Sequence, residues 1–88
     1  MMDKTVLKKE INQILVNEFE LEMGDLKPEA DLYEGLGLDS LDAVDMVIAF
    51  EKAFTIKIGK DTGVLTIKTL GQLQDFVIEK ITMQQAAS

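Results

Sequence analysis

Gly35-Leu36-Gly37-Leu38-Asp39-Ser40-Leu41-Asp42, running directly into the apolar stretch Ala43 to Phe54, decides how this chain is read. The two glycines make a loop that stops at Asp39. Asp is a favoured N-cap. With Asp39 in that place, Ser40 is the first helical residue and Asp42 the third, an approximate capping box for orphan amides. A first turn presents unpaired N–H groups and the positive end of the helix dipole, both of which favour an anionic phosphate nearby. A phosphodiester on Ser40 is therefore well placed.

The helix predicted from Ser40 to Phe54 has more apolar residues than one stripe can hold. At 100° per residue Ala43, Met46, Val47, Phe50 and Phe54 gather on one side, suited to a core. Leu41, Val44 and Ile48 form a second stripe beside Asp45, Glu51 and Lys52. A second stripe framed by acids suits a docking face, with apolar contact for affinity and charge for orientation. Burial beneath the preceding loop is the alternative.

Outward from this helix the chain reads as more helix. Val6-Leu7, Ile11 and Ile14-Leu15 recur at helical spacing within residues 3–17, a bundle helix with no function of its own. Residues 18–38 form a long connection with Gly24, Pro28, Gly35 and Gly37, which Leu21, Leu26, Leu32 and Leu36 are expected to pin to the bundle. After Phe54, Ile56 and Ile58 alternate like a strand, but the nearby glycines favour a loop with one helical turn near Asp61 to Leu65. Thr69 with Gln72 is a capping-box pattern opening the last helix, whose Leu70, Leu73, Val77 and Ile81 trace one face beside Phe76. Residues 1–82 are expected to form a single domain, with 83–88 a frayed tail.

Composition narrows the chemistry. The 88 residues contain no Cys, His or Trp, and all nine basic residues are Lys. The usual general base, thiol nucleophile and bidentate anion clamp are missing, as is any disulfide framework. No catalytic residue and no metal site is expected. Net charge is −7, unevenly spread: +1 over residues 1–17, −10 over 18–51 and +2 over 52–88. An acidic middle disfavours nucleic acid and suits a basic protein surface. The N-terminus lacks the apolar core of a signal peptide, and no apolar run reaches the ~18 residues of a membrane span. A monomer in the cytoplasm is expected.

Leu36-Gly37-Leu38-Asp39-Ser40-Leu41-Asp42 resembles the Asp-Ser-Leu attachment motif of acyl carrier proteins, and the similarity extends through Val44 to Phe54 and back to Leu32. The resemblance implies a small all-α four-helix bundle with a long loop between helices 1 and 2 and a short irregular third helix. It implies that Ser40 carries 4′-phosphopantetheine, installed from coenzyme A by a phosphopantetheinyl transferase, with Asp39 as motif residue and cap. Acyl groups would ride as thioesters on the arm, in fatty-acid or related synthesis of polyketide or specialised lipid type. Leu41, Asp42, Val44, Asp45, Ile48 and Glu51 match positions read by basic patches of acyl-transfer, condensing and other biosynthetic enzymes. Met46, Phe50, Ile58, Ile67 and Leu73 are candidates to line an interior acyl pocket. Lys52, and Lys57, Lys60 and Lys68 after the helix, depart from the more acidic family pattern.

Two other functions fit parts of the pattern: an aminoacyl or peptidyl carrier, and an unmodified acidic helical interaction module. A nucleophile elbow does not fit, since it needs glycine on both sides of the serine and a histidine base. A calcium loop over Asp31 to Asp42 fails because its third and fifth positions are Tyr33 and Gly35 and its sixth is Leu36.

Overall fold

Three helices carry the core of the computed structural model, which describes residues 3–59, 63 and 66–86, with side chains as far as Gln84. Helix α1, Lys4–Phe19, begins where the Asp3 carboxylate accepts the Thr5 N–H at 2.8 Å, and it ends at Glu20 in the left-handed region (φ 56°). It runs two residues beyond the stripe that announced it. Leu7, Ile11 and Leu15 are its buried face, while Val6 stays exposed. Helix α2 spans Ser40–Phe54 and buries Met46, Phe50 and Phe54, with Ala43 and Val47 packed at the edge of the same core. Helix α3 spans Leu70–Ala86.

The capping box at the start of α3 forms as the sequence predicts. Gln72 N–H donates to Thr69 Oγ1 at 3.2 Å, and Gln72 Oε1 accepts from Thr69 N–H at 3.3 Å and from Lys68 N–H at 2.8 Å. Leu70, Leu73, Val77 and Ile81 are buried; Phe76 is half-buried beneath the Lys80 ammonium, 5.4 Å from the ring centre. The tail expected to fray from Met83 is helical as far as Ala86. Gln84 holds it there: its carboxamide accepts the Lys57 N–H at 2.8 Å and donates to the Lys57 carbonyl at 2.7 Å, as a neighbouring strand would. Ile56 and Ile58, on either side of Lys57, are both buried, so the strand-like alternation is real and its partner is a side chain.

The expected short third helix falls largely on residues 61, 62, 64 and 65, which lie outside the described residues. Gly63 and Thr66 have 3-10 geometry, and Thr66 Oγ1 donates to the Gly63 carbonyl at 2.8 Å. Among the described residues no strand forms beyond an isolated bridge between Asp31 and Thr69, and no helix is long and apolar enough to cross a membrane.

The long connection from 20 to 39 is pinned by its leucines. Leu26, Leu32 and Leu38 are buried, and Leu21 and Leu36 pack against the core. A 3-10 turn at Met23–Asp25 tightens its first half. Its second half is stitched to the start of α3 by Leu32 N–H to Lys68 O (2.8 Å), Leu70 N–H to Ala30 O (3.0 Å) and Gly71 N–H to Pro28 O (2.9 Å). Asp31 organises the final turn: its Oδ1 accepts from Tyr33 and Glu34 N–H, both at 2.8 Å, and its carbonyl from Gly35 and Leu36 N–H, both at 2.9 Å. Gly35 is obligatory, since a Cβ there would stand 2.7 Å from the Asp31 carbonyl oxygen. Gly37, at φ +74°, then turns the chain toward Asp39.

Gly35→Ala is expected to destabilise the fold by about 1–3 kcal/mol, because a backbone carbonyl must move and two hydrogen bonds move with it. A chemical-denaturation midpoint equal to that of the parent would show that the turn yields freely.

Candidate functional site

The connection delivers the chain to Asp39, and there the capping box closes. Asp39 Oδ1 accepts from Leu41 and Asp42 N–H, both at 2.9 Å, and Asp42 Oδ2 accepts the Asp39 N–H at 3.1 Å. Ala43 N–H goes to the Asp39 carbonyl at 3.1 Å. Ser40 is exposed, and its hydroxyl makes no hydrogen bond among the described residues. Nothing among the described residues competes for that oxygen. The geometry narrows one expectation, because the Leu41 and Asp42 N–H groups, two of the first-turn donors that would welcome a phosphate, are already taken by Asp39. A phosphate on Ser40 would have the helix dipole but not those two amides.

The second stripe of α2 is open. Leu41 is 74 %, Val44 57 % and Ile48 44 % exposed, so the long loop does not cover them. Asp45 is exposed beside them, and Asp42 is half-buried with one carboxylate oxygen engaged in the cap.

Glu51 behaves differently from the other carboxylates assigned to this face. Its Oε2 accepts from Ile58 N–H at 2.8 Å and from Gly59 N–H at 3.0 Å, and its carbonyl takes the Ile56 N–H at 3.2 Å. It turns toward the loop after α2, where with Gln84 it holds Ile56 and Ile58 against the core. The Ile58 amide first, then the Gly59 amide, keeps its carboxyl below the ordinary 4.5, and desolvation only partly opposes them. A folded-state pKa below the unfolded one adds stability above about pH 4.5, lost as pH falls through the lowered value. Glu51→Gln is therefore expected to lower the melting temperature at neutral pH, with the gap closing as pH falls below 4.5 and through the lowered value. A gap independent of pH across that window would show that the charge contributes nothing.

Met46, Phe50, Ile58, Ile67 and Leu73 are all buried in the one core. Three contributors to the site's support went unrecognised in the sequence: Asp31, Glu51 in its clamping role, and Gln84. Asp31 carries a readable signal, because an Asp opening a turn bonds the amides two and three residues on.

The fold and site together define a class: a small helical bundle that offers one unencumbered serine at the capped start of its central helix, next to an apolar and acidic stripe. Residues 9–77, Ser40 among them, match the family described as the phosphopantetheine attachment site. The chain is 33 % identical over 82 residues to an acyl carrier protein of Cyanophora paradoxa, covering 93 % of this chain and 79 % of the relative. A crystal structure of an acyl carrier protein from Thermotoga maritima superposes with a TM-score of 0.76 at 27 % identity, covering 93 % of this chain and 94 % of that one. The chain belongs to the acyl carrier protein family, and 4′-phosphopantetheine is its prosthetic group.

Proposed function

We propose that Ser40 bears the arm and that the protein carries acyl intermediates as thioesters in fatty-acid or related biosynthesis, of polyketide or specialised lipid type. The observation that carries this reading is the free, exposed Ser40 hydroxyl at the end of a loop built to present it. Attachment forms a bond from Ser40 Oγ to the phosphorus of the phosphopantetheine moiety of coenzyme A. The diphosphate linkage breaks, adenosine 3′,5′-bisphosphate leaves, and the serine proton passes to a base of a phosphopantetheinyl transferase. When bound, the arm supplies the thiol that the chain itself lacks.

The protein acts as a carrier rather than an enzyme, as a monomer in the cytoplasm. Its own residues present, orient and dock. Leu41, Asp42, Val44, Asp45 and Ile48 meet basic patches on condensing and acyl-transfer enzymes, and Glu51 supports that face from behind through the loop it clamps. Tethering raises the effective concentration of cargo at each enzyme. Met46, Phe50, Ile58, Ile67 and Leu73 are the core residues among which an acyl chain would withdraw.

The test is intact mass before and after incubation with coenzyme A, magnesium and a broad-specificity phosphopantetheinyl transferase. Addition of one phosphopantetheine is expected. A folded protein that gains no mass while a known carrier is modified in parallel would make an unmodified interaction module the better reading.

A further inference from the structure

Lys52 stands on the same stripe as the exposed apolar residues of α2. At 100° per residue Leu41, Val44, Asp45, Ile48 and Lys52 fall within an arc of about 100°. Asp45 and Lys52 are both exposed, and neither has a hydrogen-bond or ion-pair partner among the described residues. They flank Ile48 along an open groove of about 200 Å³ floored by Phe19 and Ala49 and edged by Glu18. Glu51, the acid next to Lys52 in sequence, has its carboxylate turned to the Ile58 and Gly59 amides and does not offset the lysine on this face.

We infer that this face is polarised and selects its partner by polarity. Its occupant is a protein surface that places a basic group against Asp45 and a carboxylate against Lys52, and surfaces basic along their whole length are disfavoured. Asp45 and Lys52 are seven residues apart, about 10 Å along the helix, and Asp42 lies about 15 Å from Lys52. These separations match or exceed the ~8–10 Å screening length at physiological salt, so a partner meets two distinct ends rather than an average. A second copy of the chain could pair the same charges antiparallel. It is the weaker occupant, since a net charge of −7 opposes self-association and three aliphatic side chains fall short of the ~800 Å² per side of a stable dimer.

This inference rests on the carrier reading, and its test separates the two. Holo protein, verified by intact mass and loaded with a short acyl group, is offered to a condensing enzyme whose carrier-docking patch is basic throughout. Lys52→Gln is expected to raise kcat/KM about threefold and Lys52→Glu about tenfold at low salt, both gains shrinking as salt rises. One basic-to-acidic replacement on the enzyme's patch should invert the order, favouring the parent chain over Lys52→Glu. Calorimetric binding of the unloaded protein to the same enzyme reads that order without the arm, so a failure of loading counts against the carrier reading and leaves the polarity measurable. Equal binding and equal kcat/KM for all three forms would overturn the inference. So would a dimer in sedimentation that Lys52→Glu dissolves, which would make a second copy the occupant.

Discussion

Ser40→Ala is expected to abolish the gain of phosphopantetheine completely while leaving the fold as stable as the parent to within about 0.5 kcal/mol. The two halves of that expectation have separate physical grounds. Loss is complete because the reaction needs an oxygen on this Cβ, and no neighbouring hydroxyl can replace it. The cap residue beside it is an aspartate whose carboxylate is occupied with the Leu41 and Asp42 amides. Stability holds because the Ser40 side chain is exposed and makes no hydrogen bond among the described residues, and alanine has a high intrinsic helix propensity. Intact mass reads the first half, and a denaturation midpoint the second. A variant that still gained the full mass would move the attachment to another residue. A variant that lost several kcal/mol would mean that the serine holds the helix start, and its failure to react would then say little about chemistry.

That separation of duties between neighbours was legible in the sequence because it is local. Asp39 with Asp42, and Thr69 with Gln72, are each three residues apart, within reach of one helical turn, so residue type and spacing suffice. The core faces of α2 and α3 followed from a period of 3.6, and the leucines of the long connection declared themselves as aliphatic groups in an otherwise largely polar stretch. What stayed hidden depends on distance in sequence. Gln84 closes on Lys57 across 27 residues, and the buried Gln74 amide donates to Asn12 Oδ1 at 2.8 Å across 62, joining α3 to α1. Nothing in either glutamine's neighbourhood distinguishes it from a solvated one. The clamping role of Glu51 stayed hidden for the same reason. Its periodicity puts it beside the open stripe, but its carboxylate goes to amides seven and eight residues ahead, whose position depends on how the loop after α2 folds back.

Phe50 is a fully buried core residue whose volume an acyl chain entering the bundle would contest, and its replacement has the largest expected effect on stability. The side chain is 1 % exposed, and its ring lies 6.3 Å from that of Phe54 at an interplanar angle of 26°. Phe50→Ala is expected to cost about 3–5 kcal/mol, from lost transfer free energy and the cavity left behind. At roughly 0.05–0.15 kcal/mol per residue the whole domain has only about 4–13 kcal/mol to lose, so the variant sits near the edge of folding. Phe50→Leu removes less volume and keeps a folded species in hand. If the acyl chain withdraws into this core, the cavity should favour the loaded form. A long-chain thioester should then resist hydroxylamine better in the Phe50 variants than in the parent. Loading should also recover part of the lost melting temperature, because an apolar guest fills an otherwise empty apolar space. A folded variant with unchanged thioester lability and no recovery on loading would place the cargo outside the bundle, and would leave Phe50 as a packing residue alone.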